Sequence, residues 1–256
     1  MSSEVGKLGR PRGRPPSQRN IGDVNEAPVE LPRVDAVERA LGILDAFSED
    51  RVRLTLAEIA QRTGLYPSTV LRLAGSLSRF GYLHRDDNGQ YRLGPTPLRL
   101  GQLYRQTFDL TDYVRPALAR LSEATGETAA FYVRDGDKRI CLYRHHAPRM
   151  IRHHLEEGAQ LPLDRGAGGR VLLAFTDGMG PDSDRIRDSG LCVSLGERDP
   201  ETAAIAVPIY GVQDTFLGAL GIVGLRSRFE GDRIEVLSEA LRAEAKALRQ
   251  RLSGRR

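Results

Sequence analysis

The sequence predicts two folded units, a small and mostly helical one that ends in a β-hairpin, and a larger α+β one behind it. Three observations carry this. Between residues 33 and 81 apolar residues recur at helical spacing, punctuated by capping residues and glycines. An Asn-Gly pair between two short strand-like runs then marks a hairpin. Beyond residue 111, strand runs lie between helical stretches at both ends, the pattern of an α+β layer structure. A chain of 256 residues has room for two modest cores. The predicted division is a basic arm and linker over 1–32, a helical unit with its hairpin over 33–94, a linker helix over 95–110, and a second domain over 111–256.

Composition limits the function classes. Apolar residues make up 40% and charged residues 28%, ordinary for a soluble globular chain. No apolar run reaches the roughly 18–20 residues that span a bilayer, so no membrane partner is expected. The N-terminal residues lack the apolar stretch of a signal peptide. Two cysteines, Cys141 and Cys192, do not make a disulfide framework, and a reduced cytoplasmic location is the expectation. The net charge of +4 hints at an acidic partner, and its distribution says more. Lys7, Arg10, Arg12, Arg14 and Arg19 face the single acid Glu4 within the first 20 residues, an electrostatic footprint for nucleic acid. Inside this arm, Pro11-Arg12-Gly13-Arg14-Pro15 is a thin Arg-Gly-Arg strand that fits a narrow A·T-rich minor groove, and it resembles the core of an AT-hook. The alternative is a solvated, disordered tail. Ser17 to Pro32 reads as flexible linker.

The first helix is expected from Arg33, with Asp35 and Glu38 spaced as a capping box and Val37, Ala40, Leu41, Leu44 and Phe47 as its apolar stripe. A second starts at Thr55, again with Glu three residues on, and stops near Gly64. Pro67 suits the first turn of a third helix, which is expected to bury Val70, Leu73, Ala74, Leu77 and Phe80 and to end at Gly81. Ala60 is small where two helices cross, and Gly64 permits a tight turn four residues later. That is the spacing of a helix-turn-helix, whose second helix lies in the major groove of double-stranded DNA. The outward face of the third helix presents Ser68, Thr69, Arg72, Ser76 and Arg79. Its hydroxyls suit phosphates or bases, and Arg72 suits a bidentate grip on guanine. A plain helical hairpin with a polar face is the competing reading.

The hairpin that follows settles the competition. Tyr82 to Arg85 and Gln90 to Leu93 flank Asp86-Asp87-Asn88-Gly89, which makes a wing directly after the reading helix. His84, Arg85 and Arg92 are candidate backbone contacts, while Asp86 and Asp87 keep the tip itself off phosphate.

The stretches "RALGILDAF", "LTLAEIAQRTGLYPSTVLRLAGSLSRFGYL" and "GQYRLG" resemble the N-terminal domain of IclR-type regulators. "TDYVRPALARLSEATGETAAFYVRDGDKRICLYRH", "GAQLPLDRGAGGRVLLAF" and "IAVPIYGVQDTFLGALGIVGLRSRF" resemble their effector domain, so the likeness covers residues 34–252. It implies a GAF-like antiparallel sheet flanked by helices, and assembly as a homodimer or a dimer of dimers.

In this second half, Leu98, Leu100, Gly101, Leu103 and Tyr104 suggest the linker helix, with Leu100 and Leu103 as dimer contacts or core residues. An amphipathic helix through Val114, Leu118, Leu121 and Ala124 ends at Gly126. Strands are expected over Thr128–Arg134, Lys138–His145 and Met150–Leu155. A short helix over Gly166–Phe175, another over Ser183–Asp188, an apolar hairpin of Ala204–Tyr210 and Phe216–Leu225, and a long helix over Asp232–Leu252 complete the reading. No Ser/His/Asp set, carboxylate pair or phosphate loop stands out, so neither catalytic residues nor a cofactor are expected. His145-His146 and His153-His154 raise a zinc question, but neighbours on a strand point to opposite faces, and ordinary polar surface is the better reading. The glycines around Arg165 open a helix with bare amides, which suits a carboxylate.

The resemblance places Gly166 and Ala167 beside an effector pocket. It also implies Tyr143, Ala204, Gly221 and Val223 as pocket residues. In the family small polar side chains often face the ligand there, and their replacement by the last three favours an organic acid that is partly apolar or aromatic over a very small polar one. The segment from Phe175 to Leu191 is shorter than the family's usual helical stretch, so one pocket wall is expected to differ. The resulting expectation is a ligand-responsive DNA-binding regulator of palindromic operators, a repressor by default, with an activator, an architectural A·T-rich DNA binder or an enzyme as rivals.

Overall fold

A computed structural model describes residues 33–108, 110–147, 149, 156–178, 180 and 182–253. The basic arm with Arg12 and Arg14, the linker to Pro32, the strand expected over Met150–Leu155, and His153 and His154 lie outside the described residues. The described residues divide into two compact units, one running through Leu77 and taking in Arg85–Arg92, the other made of Ser78–His84 and the residues from Leu93 onward.

In the first part α1 (Asp35–Asp45), α2 (Leu56–Thr63) and α3 (Pro67–Arg79) precede a hairpin of β1 (Leu83–Arg85) and β2 (Tyr91–Leu93). The capping box expected at Asp35 and Glu38 does not form. The amides of Val37 and Glu38 bond the Val34 carbonyl, so Val34 is the cap. Asp35 is then the first helical residue and pairs with Arg39 at 2.7 Å. The apolar stripe of α1 is also rotated from expectation, with Ile43 and Ala46 buried while Val37 and Leu41 are exposed. At α2 the box is complete. The Glu58 amide donates to Thr55 Oγ1 at 3.2 Å, and the Thr55 amide donates to the Glu58 carboxylate at 2.8 Å. Gly64 closes this helix in the left-handed conformation, φ +68°. α3 buries Val70 and Ala74, while Phe80 lies beyond its end and is exposed, contrary to expectation. The wing carries a pairing the sequence did not reveal. Leu54 and Tyr91 exchange both backbone hydrogen bonds, at 2.9 and 2.7 Å, which ties the segment before α2 to β2.

The second part begins with α4 (Pro95–Gln106) and α5 (Thr111–Thr125), which ends at a left-handed Gly126. β3 (Thr128–Asp135), β4 (Lys138–His145), β5 (Gln160–Pro162), α6 (Ala167–Thr176), α7 (Ser183–Ser189), β6 (Cys192–Leu195), β7 (Thr202–Tyr210), β8 (Phe216–Leu225) and α8 (Arg233–Ser253) follow. Six antiparallel strands form one sheet in the order β5-β4-β3-β8-β7-β6. α5 and α8 cover one face through Val114, Leu118, Leu121, Leu237, Leu241 and Leu248, packed on Phe131, Ile205, Leu220 and Ile222. α6 and α7 cover the other through Ala167, Val171, Leu172 and Ile186, packed on Ala130, Tyr132, Cys141 and Ala206. Burial on both faces explains why these strands read as near-continuous apolar runs rather than as alternation. No helix among the described residues is long and apolar enough to cross a membrane.

Candidate functional site

The outward face of α3 carries the residues expected to read DNA. Positions 68, 72, 76 and 79 fall within an arc of about 80° on a helix with 3.6 residues per turn, and position 69 borders it. Ser68, Arg72, Ser76 and Arg79 are exposed and Thr69 is half-buried. Neither Arg72 nor Arg79 has an acidic partner among the described residues, and the first turn of α3 contains no acid. Cationic side chains without internal partners keep their full charge for phosphate or guanine.

On the hairpin, His84 and Arg85 are exposed. The Arg85 guanidinium sits 5.5 Å from the Tyr91 ring centre, a contact that holds a long side chain against the strand. Asp86 organises the tip by accepting from the amides of Asn88 and Gln90 at 3.1 and 2.9 Å, and it takes Arg53 at 2.8 Å. Its charge is thus occupied within the protein. Tyr66, which the sequence reading did not single out, precedes Pro67 at the start of α3 and is 82% exposed.

The α6 face of the larger unit holds a cavity that is open to solvent at its mouth. Its floor is the sheet. Strand alternation puts Ala204 and Ala206 of β7 and Gly221 and Val223 of β8 on this face, with Ala206 opposite Gly221 and Ala204 opposite Val223. Its roof is the first turn of α6, from Gly166 to Gly168; the turn before β7 adds Glu197 and Arg198, and the first residue of β7 adds Thr202. Gly166 has φ +75°, and a side chain there would stand 3.2 Å from an Arg139 nitrogen. Gly169 is required by space, because an added Cβ would lie 2.4 Å from the Leu163 carbonyl oxygen. Five of the six expected pocket residues therefore converge: Gly166, Ala167, Ala204, Gly221 and Val223.

Tyr143 does not join them. β4 carries one extra residue, Leu142, between the pairs Tyr132–Cys141 and Phe131–Tyr143. The bulge turns every later side chain to the opposite face. Tyr143 consequently lies in the α5 core, its hydroxyl 2.9 Å from Thr111 Oγ1 and its ring 5.2 Å from the Arg115 guanidinium carbon.

The cavity also contains residues that sequence reasoning did not single out. Arg139 is 5% exposed and packs its guanidinium 5.2 Å from the centre of the Tyr132 ring. Burial lowers the Arg139 pKa and raises that of Tyr132. Glu197 crosses the mouth of the cavity. Its carboxylate accepts from the Gly166 amide at 3.0 Å and from Arg170 at 2.7 Å, and Arg170 also pairs with Asp182. Ser194 and Thr202 add hydroxyls. Among the described residues no group of three or more His, Cys, Asp or Glu side chains is placed to hold a metal. His146 instead lies 3.6 Å from Glu156.

Comparison with known proteins gives a consistent picture. The IclR helix-turn-helix domain model matches residues 36–87, and the model of the bacterial transcriptional regulator IclR C-terminal domain matches 102–182 and 176–250. The HTH-type transcriptional regulator BhcR of Paracoccus denitrificans is 30% identical over 97% of this chain and 95% of its own. The solved regulator from Alicyclobacillus acidocaldarius is 25% identical, with a TM-score of 0.68 over 87% of this chain and 100% of that one. An IclR homologue from Microbacterium hydrocarbonoxydans, solved in complex with 4-hydroxybenzoate, has a TM-score of 0.70 at 22% identity, covering 85% of this chain and 99% of its own.

Proposed function

The chain belongs to the IclR family of bacterial transcriptional regulators, and we propose that within it the protein is a ligand-responsive repressor of a catabolic or transport operon. The observation that carries this is the pairing, on one chain, of an uncommitted Ser/Thr/Arg reading face on α3 with a cavity lined by the α6 start and small apolar residues of the sheet in the larger unit.

In this reading Ser68, Thr69, Arg72, Ser76 and Arg79 enter one major-groove half-site, and His84 and Arg85 of the wing touch the adjoining backbone. A homodimer, or a dimer of dimers, reads an imperfect palindrome. Arg12 and Arg14 add salt-sensitive affinity for A·T-rich flanks. The effector is an organic acid with an apolar or aromatic body. Support comes from the walls of Ala204, Ala206, Gly221 and Val223, and from the 4-hydroxybenzoate held by the Microbacterium homologue. Binding shifts operator occupancy only to the extent that the acid prefers one state of the protein.

Genome-wide mapping of bound DNA, in the wild type and in Arg72→Ala, tests this. The expected result is a few palindromic sites beside a catabolic or transport operon whose transcripts rise when the protein is deleted. Arg72→Ala should lose about 1–3 kcal/mol of operator affinity and relax specificity. Broad occupancy of A·T-rich DNA would replace this reading with an architectural one, and transcripts that fall on deletion would make the protein an activator.

A further inference from the structure

Arg139 is an anomaly in the cavity. It is 5% exposed, its Nε has no hydrogen-bond partner, and its guanidinium makes no hydrogen bond or ion pair among the described residues. A buried cation without a directly bonded partner is costly, because the lost hydration is not replaced. Its position raises the cost further. A Cβ added at Gly166 would lie 3.2 Å from one guanidinium nitrogen, and one added at Gly168 would lie 3.2 Å from another. The cation is therefore pressed against the first turn of α6, where the helix dipole is positive and amides lack helical acceptors. Glu197, the nearby acid on the cavity wall, acts on Arg139 only through space, because its oxygens are bonded to the Gly166 amide and to Arg170. Tyr132 holds the guanidinium flat from the other side, 5.2 Å from its ring centre, and approaches the Gly168 position to 3.0 Å. Two positive features thus face one small space between a ring and a helix start.

We propose that Arg139 is the charge-reading residue of this cavity, gripping one carboxylate of the effector together with the amides that open α6. One guanidinium edge and one helix start offer converging donors to the two carboxylate oxygens, the geometry in which a planar anion is bound most strongly. The rest of the ligand then lies along Ala204, Ala206, Gly221 and Val223, which supply no charge. The cavity is accordingly selective for a monoanionic head on an apolar body, and it rejects the neutral isostere, which would leave the guanidinium unpaired. This rests on the effector reading above and names the residue that determines its specificity.

The test uses the full chain and two matched series as probes: benzoate, 4-hydroxybenzoate and butyrate against benzamide, 4-hydroxybenzamide and butyramide. Calorimetry and thermal shift are read for the wild type, Arg139→Gln, Arg139→Lys and Gly168→Ala. In the wild type at least one acid should bind ten-fold or more tighter than its amide. Arg139→Gln should bring that ratio near one, Arg139→Lys should leave an intermediate preference, and Gly168→Ala should weaken the acid by filling the space between Arg139 and the helix. Retention of the full acid preference in folded Arg139→Gln would overturn the proposal. If Arg139→Gln does not fold, full preference in both Arg139→Lys and Gly168→Ala would overturn it as well. Amides binding as tightly as acids to the wild type would remove the role of Arg139 but leave the cavity as an effector site. Binding of neither series would remove both the proposal and the organic-acid reading.

Discussion

At the scale of single residues, burial decides chemistry that composition leaves open. Cys141 and Cys192 are both buried, and desolvation pushes each thiol up to about 11. A thiol held protonated at neutral pH is a poor nucleophile and a poor metal ligand. The native protein should therefore react with a thiol reagent such as DTNB far more slowly than the unfolded chain. One rapid equivalent in the native state would contradict the burial. The same shift has a consequence for stability. An unperturbed thiol titrates near 9.0, so from about pH 9 upward the unfolded chain loses these protons while the native state keeps them. Stability contributed at the two thiols is then intact below pH 9 and falls as pH rises toward 11. Tyr132 and Arg139 follow the same physics in the cavity, where burial works against the charged form of each.

At the scale of elements, what was legible in the sequence is what is local. Thr55 and Glu58 bond reciprocally, and nothing remote is needed to read them. Thr55→Ala should cost about 1 kcal/mol in denaturant unfolding, whereas Thr55→Ser should cost little. Equal stability of Thr55→Ala and wild type would mean that the cap adds nothing to α2. The matching spacing at Asp35 and Glu38 misled because α1 starts one residue earlier, which puts Asp35 inside the helix, where it cannot cap. The short strands β5 and β6 escaped notice for a different reason. Their three and four residues are too few for a periodic signal, and only pairing with β4 and β7 defines them. The cavity divides along the same line. Gly166 and Ala167 follow from a glycine-rich helix entry, and Ala204, Gly221 and Val223 from the resemblance. Tyr143 was misplaced because a single-residue bulge in β4 is invisible in the sequence. Arg139 was overlooked because an arginine at the start of a strand looks solvated until Tyr132 and α6 are brought against it.

At the scale of the whole molecule, one carboxylate of the larger unit ties three elements together. Glu157 Oε1 accepts from the Arg144 amide of β4 at 3.0 Å. Its Oε2 accepts from Arg105 of α4 at 2.6 Å and from Arg115 of α5 at 2.8 Å. Glu157 is thus a clasp joining two helices to the strand whose other end carries Arg139. All three side chains are partly exposed, between 25% and 41%, so solvent screens the pairs and each is worth less than a buried bond. Glu157→Gln keeps the shape and the backbone contact but leaves two arginines facing a neutral amide. It should cost about 1–2 kcal/mol overall. The diagnostic readout is local. Amide hydrogen exchange over the last turns of α4, from Gly101 to Gln106, should accelerate, while α6, packed on the other face of the sheet, should exchange as before. Loss of protection spread evenly over α4 and α6 would mean that Glu157 supports the fold at large. Unchanged exchange in α4 would mean that its apolar residues Leu98, Leu100 and Leu103, all exposed in the single chain, are held by something other than this charge.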